Sequence, residues 1–166
     1  MEVYKNLPEG TLAELIDNVI YMSPTPVTNH QLVLQTIFRR LCEHIEDQRK
    51  GYVIVAPFDI YLDETSNAVQ PDIVVILKTN KNQPEPKGHF HGSPDLVVEI
   101  LSPGNRNHDL VKKKDLYEKF GIAEYWIVDP QSKAALAYAM DSGKYTKISD
   151  ETGIIRSSLL EASFSF

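Results

Sequence analysis

The chain has 166 residues, with 17 Lys and Arg against 23 Asp and Glu and a formal net charge of −6. That length builds one ordinary domain, residues 1–166, and excludes two comfortable ones. The acidic balance excludes a surface coated in positive charge for indiscriminate nucleic-acid binding, and leaves room for a local basic groove or for a metal site built from acids.

The single cysteine, Cys42, excludes a disulfide framework within the chain; it lies in an apolar-periodic segment as a small core residue. The opening MEVYKNLPEGTLAEL has no basic region followed by an apolar stretch, and no apolar run is long enough to span a bilayer. The expectation is a soluble, cytoplasmic protein with no membrane partner.

Residues 14–22, ELIDNVIYM, form either a short hairpin or a helix end running into a strand, and the two prolines of SPTPVT then stop regular structure. Residues 30–45 carry apolar side chains at 33, 34, 37, 38, 41, 42 and 45, the spacing of an amphipathic helix, with Asn29 or Thr28 to cap it. YVIVAPFDIYLDE and VQPDIVVIL read as two strands joined by ETSNA. KTNKNQPEPKGHFHGS is polar and proline-rich, a long loop of the length that is often functional.

The loop leads into SPDLVVEILS, a strand carrying two acids, Asp95 and Glu99. Side chains alternate along a strand, so Asp95, Val97 and Glu99 share one face while Leu96, Val98 and Ile100 fill the other. Burying an ionised carboxylate without a partner is costly, so Glu99 pairs with a nearby base, takes up a proton or holds a metal. SPGNRNH then turns the chain into a helix over residues 109–120, with Leu110, Leu116, Tyr117 and Phe120 inward and Gly121 as terminator. Of Lys112, Lys113 and Lys114, successive helical residues about 100° apart, Lys113 is the one in phase with Leu116 and Tyr117. EYWIVDP is a further strand, KAALAYAMDSGKYTKI a hairpin turning at Ser142 and Gly143, and the last residues add an edge strand. The order predicts an α/β architecture, a mixed central sheet flanked by helices with added β-hairpins.

Asp72 opens one apolar strand and Glu99 ends a neighbouring one, which brings two carboxylates toward a common point. Such a pair suits a hard divalent cation that takes oxygen ligands and keeps several waters. Arg106, Lys112 and Lys114, with Lys78, Lys81 and Lys87 of the long loop, supply positive charge for phosphates, and Asp109 is a candidate partner for Arg106. His89 and His91 have no Cys or further His nearby and read as polar loop residues. Ser102 lacks the glycine-flanked elbow that exposes a nucleophilic serine.

Four motifs in order, QPD at 70–72, PDLVVEILSP at 94–103, D-L-x-x-K-x-x-L-Y at 109–117 and EYWIVDP at 124–130, resemble the Uma-two family, predicted bacterial endonucleases of the PD-(D/E)xK nuclease superfamily. The likeness extends from ELIDNVIYMSPTPVTNHQ to GKYTKISDETGIIRSSLL. It implies a restriction endonuclease-like fold, cleavage of phosphodiesters with Mg²⁺ or Mn²⁺, and nucleic acid, DNA first, as partner. Carried over by position, Pro71 and Asp72 match the PD half and Glu99 the second acid. Two residues beyond Glu99, where the superfamily usually has lysine, this chain has Leu101. The family resembles branches in which that lysine has moved to the following helix, which assigns the role to Lys113. The resemblance also implies Glu14 and His30 as additional site residues, ranks Asp95 behind Asp72, and places Asn18 where glycine is common. Asp72, Glu99 and Lys113 are thus the expected catalytic set, with Asp72 and Glu99 on the metal. A homodimer follows from the need to cut both strands of a duplex. Two other readings stand beside this one: a catalytically silent nuclease-fold module that binds nucleic acid or a protein, favoured by Leu101, and a hydrolase of a non-nucleic phosphoester.

Overall fold

The computed structural model of the chain describes residues 1–8, 10–104 and 106–166. Glu9 and Asn105, the latter within the expected SPGNRNH turn, lie outside the described residues. A short helix α1 (Glu2–Lys5) precedes the hairpin of β1 (Ala13–Ile16) and β2 (Val19–Met22). Its turn residues Asp17 and Asn18 have φ of 48° and 64°. That is the backbone twist a two-residue hairpin turn requires, and Asn and Asp reach it more easily than other residues with a side chain. Asn18 therefore serves where glycine is common, and residues 14–22 are a hairpin.

The amphipathic segment is helix α2 (Thr28–Ile45), with Val33, Ile37, Leu41 and Ile45 buried along one stripe. Neither expected cap is used. Val27 occupies the N-cap position without a side-chain hydrogen bond, and Asn29 donates instead to the Pro130 carbonyl at 2.7 Å.

Each of the two long apolar runs divides. YVIVAPFDIYLDE gives β3 (Gly51–Val55) and β4 (Ile60–Tyr61), and VQPDIVVIL gives β5 (Ala68–Val69) and β6 (Ile73–Leu77). β3 pairs with β6 and β4 with β5, but in different sheets. Pro57 on one run and Pro71 on the other have no N–H with which to continue a ladder, so this long hairpin passes from one sheet to the other there. Asp72 stands at the crossing. The long loop is also not wholly irregular: Phe90 and His91 form β7 (Phe90–His91), parallel to β4.

β8 (Leu96–Ile100) is followed by helix α3, whose first six residues, His108–Lys113, are wound as a π-helix before a regular stretch, Lys114–Lys119. Gly121, at φ 69°, closes it: Ile122 N–H reaches the Tyr117 carbonyl at 3.1 Å and Gly121 N–H that of Glu118 at 3.0 Å. These are the paired bonds of a glycine-terminated helix. β9 (Glu124–Val128) then lies parallel to β8, making β8–α3–β9 a crossover unit. β10 (Ala134–Asp141) and β11 (Lys144–Thr152) form the expected hairpin, turning at Ser142 and Gly143 with φ of 51° and 84°. The terminal strands β12 (Ile154–Ser157) and β13 (Ala162–Ser165) pair with one another, not with a sheet edge.

Besides that two-stranded pair, the described residues form two larger sheets: six strands in the order β11-β10-β9-β8-β6-β3 and five in the order β2-β1-β5-β4-β7. The six-stranded sheet is the middle layer. On one face α2 and the β12–β13 hairpin pack against Val53, Val75, Val98 and Trp126. On the other, α3 and the five-stranded sheet pack against Val74, Val97, Tyr125 and Ile127. β8 and β9 are buried on both faces, as a parallel pair between two layers must be. Among the described residues no helix is long and apolar enough to cross a membrane.

Candidate active site

Leu96 and Val98 face the α2 side and Val97 the α3 side, so the strand alternation turns Glu99 toward α3. Ile73 pairs with Val98, which sets Asp72 beside Glu99 across the β6–β8 ladder. Both acids line one cavity of about 100 Å³ together with His30, Gln70, Asp109 and Lys113.

Lys113 is buried, at 5 % exposure. Its Nζ lies 2.9 Å from Glu99 Oε1, 2.9 Å from Glu14 Oε1 and 3.6 Å from Asp109 Oδ1. Glu99 Oε1 also accepts the Tyr117 hydroxyl at 2.8 Å, and Glu14 Oε1 accepts the Gln70 backbone N–H at 3.0 Å. Asp72 is held separately. Its Oδ2 accepts the Ile100 N–H at 2.7 Å and faces His30 Nε2 at 3.2 Å, while His30 Nδ1 meets Gln31 Oε1 at 3.1 Å.

The charges are unequal. Burial disfavours the ammonium of Lys113, yet Glu14, Glu99 and Asp109 outweigh it and hold the pKa well above the ordinary lysine value. Burial likewise opposes ionisation of Glu14, but Lys113, His108 and the Gln70 N–H bring it down to about 2. For Glu99 burial wins: with Asp109, Asp72 and Glu14 adding repulsion against Lys113, its pKa is raised well above the carboxylate range. Asp109 is raised for the same reason. Glu14 is thus the counter-ion of Lys113, while burial and the neighbouring acids make Glu99 and Asp109 harder to ionise than an ordinary carboxyl. His30, disfavoured by burial but drawn up by Asp72, titrates above the ordinary histidine value.

Among the described residues, Asp72 Oδ1 and Glu99 Oε2 take no hydrogen bond, and both side chains line the cavity. Two carboxylate oxygens from adjacent strands, with space for water, fit a small oxygen-loving cation. No group of three or more His, Cys, Asp or Glu side chains placed to hold a metal ion is formed among the described residues, so the fit is to a two-carboxylate site completed by water.

Sequence expectations fare differently from residue to residue. Asp72, Glu99, Lys113, Glu14 and His30 converge on this centre. Asp95 does not: its Oδ2 accepts the Leu77 N–H at 2.7 Å and the Asn80 amide at 3.0 Å, closing the end of the β6–β8 ladder. Arg106 pairs with Asp129 at 2.7 Å, not with Asp109. Lys112 lays its ammonium over the Tyr21 ring and bonds that hydroxyl, and Lys114 lies over Tyr138 at 4.9 Å. His91 bonds Glu64 at 2.5 Å and His89 stands 3.6 Å from Asp59, so the two loop histidines serve different partners. Ser102 lines the cavity without a hydrogen bond to a base among the described residues. Burial and the nearby Glu46 push the Cys42 thiol up to about 11, which removes it as a nucleophile.

Three participants have no clear sequence signal. Tyr117 reads as a core aromatic in the helix pattern, yet its hydroxyl is spent on Glu99. Gln70 is legible only as the first letter of QPD. His108 is missed altogether: its ring is 4.8 Å from that of Tyr21, and Nε2 is buried without a hydrogen bond, 3.7 Å from Glu14 Oε2.

The mixed sheet flanked by helices is a restriction endonuclease-like fold, and here it carries two acids at adjoining strand ends and a lysine of the following helix against one of them. The Uma2 family model, described as "Putative restriction endonuclease", matches residues 1–165, and the chain belongs to that family. A crystal structure of "a putative nuclease belonging to DUF820" from Anabaena variabilis ATCC 29413 superposes with a TM-score of 0.79, covering 99% of this chain and 93% of that one at 20% identity. That likeness shows the shared fold. No curated protein matches the chain.

Proposed function

We propose that the chain is a metal-dependent endonuclease that hydrolyses DNA phosphodiester bonds in the cytoplasm, with Asp72, Glu99 and Lys113 as its catalytic residues. The observation that carries the reading is the position of Lys113, whose ammonium touches Glu99 at 2.9 Å in a cavity that Asp72 also lines. Membership of a family described as restriction endonucleases supports it.

In this reading Asp72 and Glu99 hold Mg²⁺ or Mn²⁺, which when bound polarises a phosphate oxygen and lowers the pKa of its water. The Ile100 N–H and His30 aim Asp72. Lys113, neutralised by Glu14 when idle, offers its ammonium to the charge that develops on the phosphoryl oxygens. Cutting both strands of a duplex takes two such sites, the reason to expect a homodimer.

The test is cleavage of supercoiled and single-stranded DNA by the purified protein with Mg²⁺ or Mn²⁺, alongside Asp72→Asn and Lys113→Met. The expected result is metal-dependent cleavage, abolished by Asp72→Asn and reduced at least about a hundredfold by Lys113→Met. Folded wild-type protein that cuts neither substrate would support a second reading, a silent nuclease-fold binding module. The feature favouring that alternative is Glu99 Oε1, already occupied by Lys113 and Tyr117.

A further inference from the structure

Beside the catalytic cavity of about 100 Å³ lies a groove of about 530 Å³, and Gln70 lines both. Its backbone N–H reaches Glu14 on one side, and its side-chain amide donates to Asp59 Oδ1 at 2.8 Å on the other. Leu7, Phe58 and His89 also line the groove. Resting on the nuclease reading, we propose that this groove is the subsite for an unstacked nucleobase next to the scissile phosphate, and that Asp59 selects bases carrying an exocyclic amino group.

The size difference is the first argument. The catalytic cavity accommodates a cation with its waters and a phosphate oxygen but no ring, so the attached nucleoside occupies adjoining space. A second neighbour, of about 260 Å³ on the Ser102 side, offers no free carboxylate: its Asp129 is closed by Arg106 on one oxygen and by the Gln131 and Ser132 N–H groups on the other.

Asp59 is the second argument. The Tyr4 hydroxyl, at 2.7 Å, and Gln70 both bond Oδ1 and so fix the carboxylate. Oδ2 takes no hydrogen bond among the described residues, and His89 Nδ1 stands 3.6 Å from it. The remaining lining combines aromatic and apolar residues, Leu7, Phe58 and Tyr61 among them, with Lys5 and Thr11. The His89 side chain is 56% exposed and backed by Tyr61, with ring centroids 5.5 Å apart, which leaves an imidazole face for stacking. A fixed carboxylate oxygen accepts from the amino groups of adenine, cytosine or guanine. Thymine and uracil set carbonyl oxygens on both sides of their N–H, which the carboxylate repels.

The experiment is an anisotropy titration of the intact chain with labelled single-stranded (dC)8 and (dT)8, in Ca²⁺ in place of Mg²⁺ to prevent turnover. The expected result is (dC)8 binding about tenfold tighter than (dT)8, the effect of one charge-assisted hydrogen bond. Asp59→Asn abolishes or reverses the preference. His89→Ala, which removes the stacking face at an exposed position, weakens both oligonucleotides about tenfold. Equal binding of the two oligonucleotides by the wild type, no binding of either, or undiminished binding by His89→Ala would each overturn the proposal. Metal-dependent cleavage without a base preference removes this subsite and leaves the nuclease; a base preference without cleavage removes the nuclease and leaves the subsite.

Discussion

Lys113 and Glu99 come from different elements, α3 and β8, and their ammonium and carboxylate meet 2.9 Å apart in a buried cluster. The contact explains how a chain with Leu101 in the usual lysine position keeps a lysine at its acids. Leu101 is buried in the apolar layer with Leu116 and Tyr117, and the next helix returns over that layer to deliver the charge.

Lys113 balances three buried carboxylates, so removing its charge should be destabilising. Lys113→Met is expected to cost about 3–5 kcal/mol in urea unfolding, the effect of breaking a buried pair by deleting one partner. Adding Glu99→Gln to Lys113→Met should recover part of that loss, because one uncompensated acid is then gone. A single variant as stable as the wild type would mean that water, and not Lys113, neutralises the cluster.

Glu14 and Glu99 should shape the pH dependence of stability in opposite directions. Glu14 is held at about 2 in the folded chain, below an ordinary value near 4.3. Its contribution is therefore complete above the ordinary value and lost as pH falls toward about 2. Glu99 is raised, so its protonated form favours folding and stability declines as pH rises through the raised value. Melting curves should show the wild type's advantage over Glu14→Gln shrinking from pH 6 to pH 3, and Glu99→Gln flattening the decline that begins above the ordinary carboxylate value. A wild-type advantage that grows on acidification would reverse the assignment of the charge.

Local pattern made much of this legible. Strand alternation separates Leu96 and Val98 from Val97, and helical phase distinguishes buried Lys113 from Lys112 and Lys114. The Ser142–Gly143 turn follows from backbone preference alone. What pattern misses is decided by tertiary contact. Asp95 and Glu99 share a face, but Asp95 sits where Asn80 and the Leu77 N–H need an acceptor, while Glu99 lies at the other end under α3. Arg106 has an acid nearby in sequence, Asp109, but Lys113 draws that one inward and Asp129 takes the arginine. The division of each long apolar run between two sheets is marked only by Pro57 and Pro71, which tell where a ladder breaks and not where the chain goes next.

The terminal hairpin hangs on a buried acid, Glu124, whose role the EYWIVDP motif does not announce. Glu124 Oε1 accepts the Ser158 and Leu159 N–H groups, each at 2.7 Å, and Oε2 accepts the Ser157 hydroxyl at 2.7 Å and the Trp126 indole N–H at 3.0 Å. Glu124→Ala leaves these donors unsatisfied and is expected to cost about 3 kcal/mol or more. Because Trp126 is the only tryptophan, its fluorescence and near-ultraviolet dichroism report the loss directly. An unchanged tryptophan signal in a destabilised variant would place the damage elsewhere.

His30 offers the sharpest separation of positioning from folding. Its Nε2 meets Asp72 at 3.2 Å from the first turn of α2, and the ring is buried. Because the Ile100 N–H still bonds Asp72 at 2.7 Å, loss of the imidazole should leave the acid in place but free to rotate. Groups that orient a ligating carboxylate are worth about 10–100-fold in metal affinity or activity when removed. His30→Ala is therefore expected to raise the Mg²⁺ or Mn²⁺ concentration needed for half-maximal cleavage by about that factor, with near-normal cleavage at saturating metal. His30→Gln, which can present an amide N–H to the same oxygen, should recover part of the affinity. A His30→Ala protein that loses cleavage at every metal concentration, while keeping its fold, would make His30 a participant in the chemistry and not an aligner of Asp72.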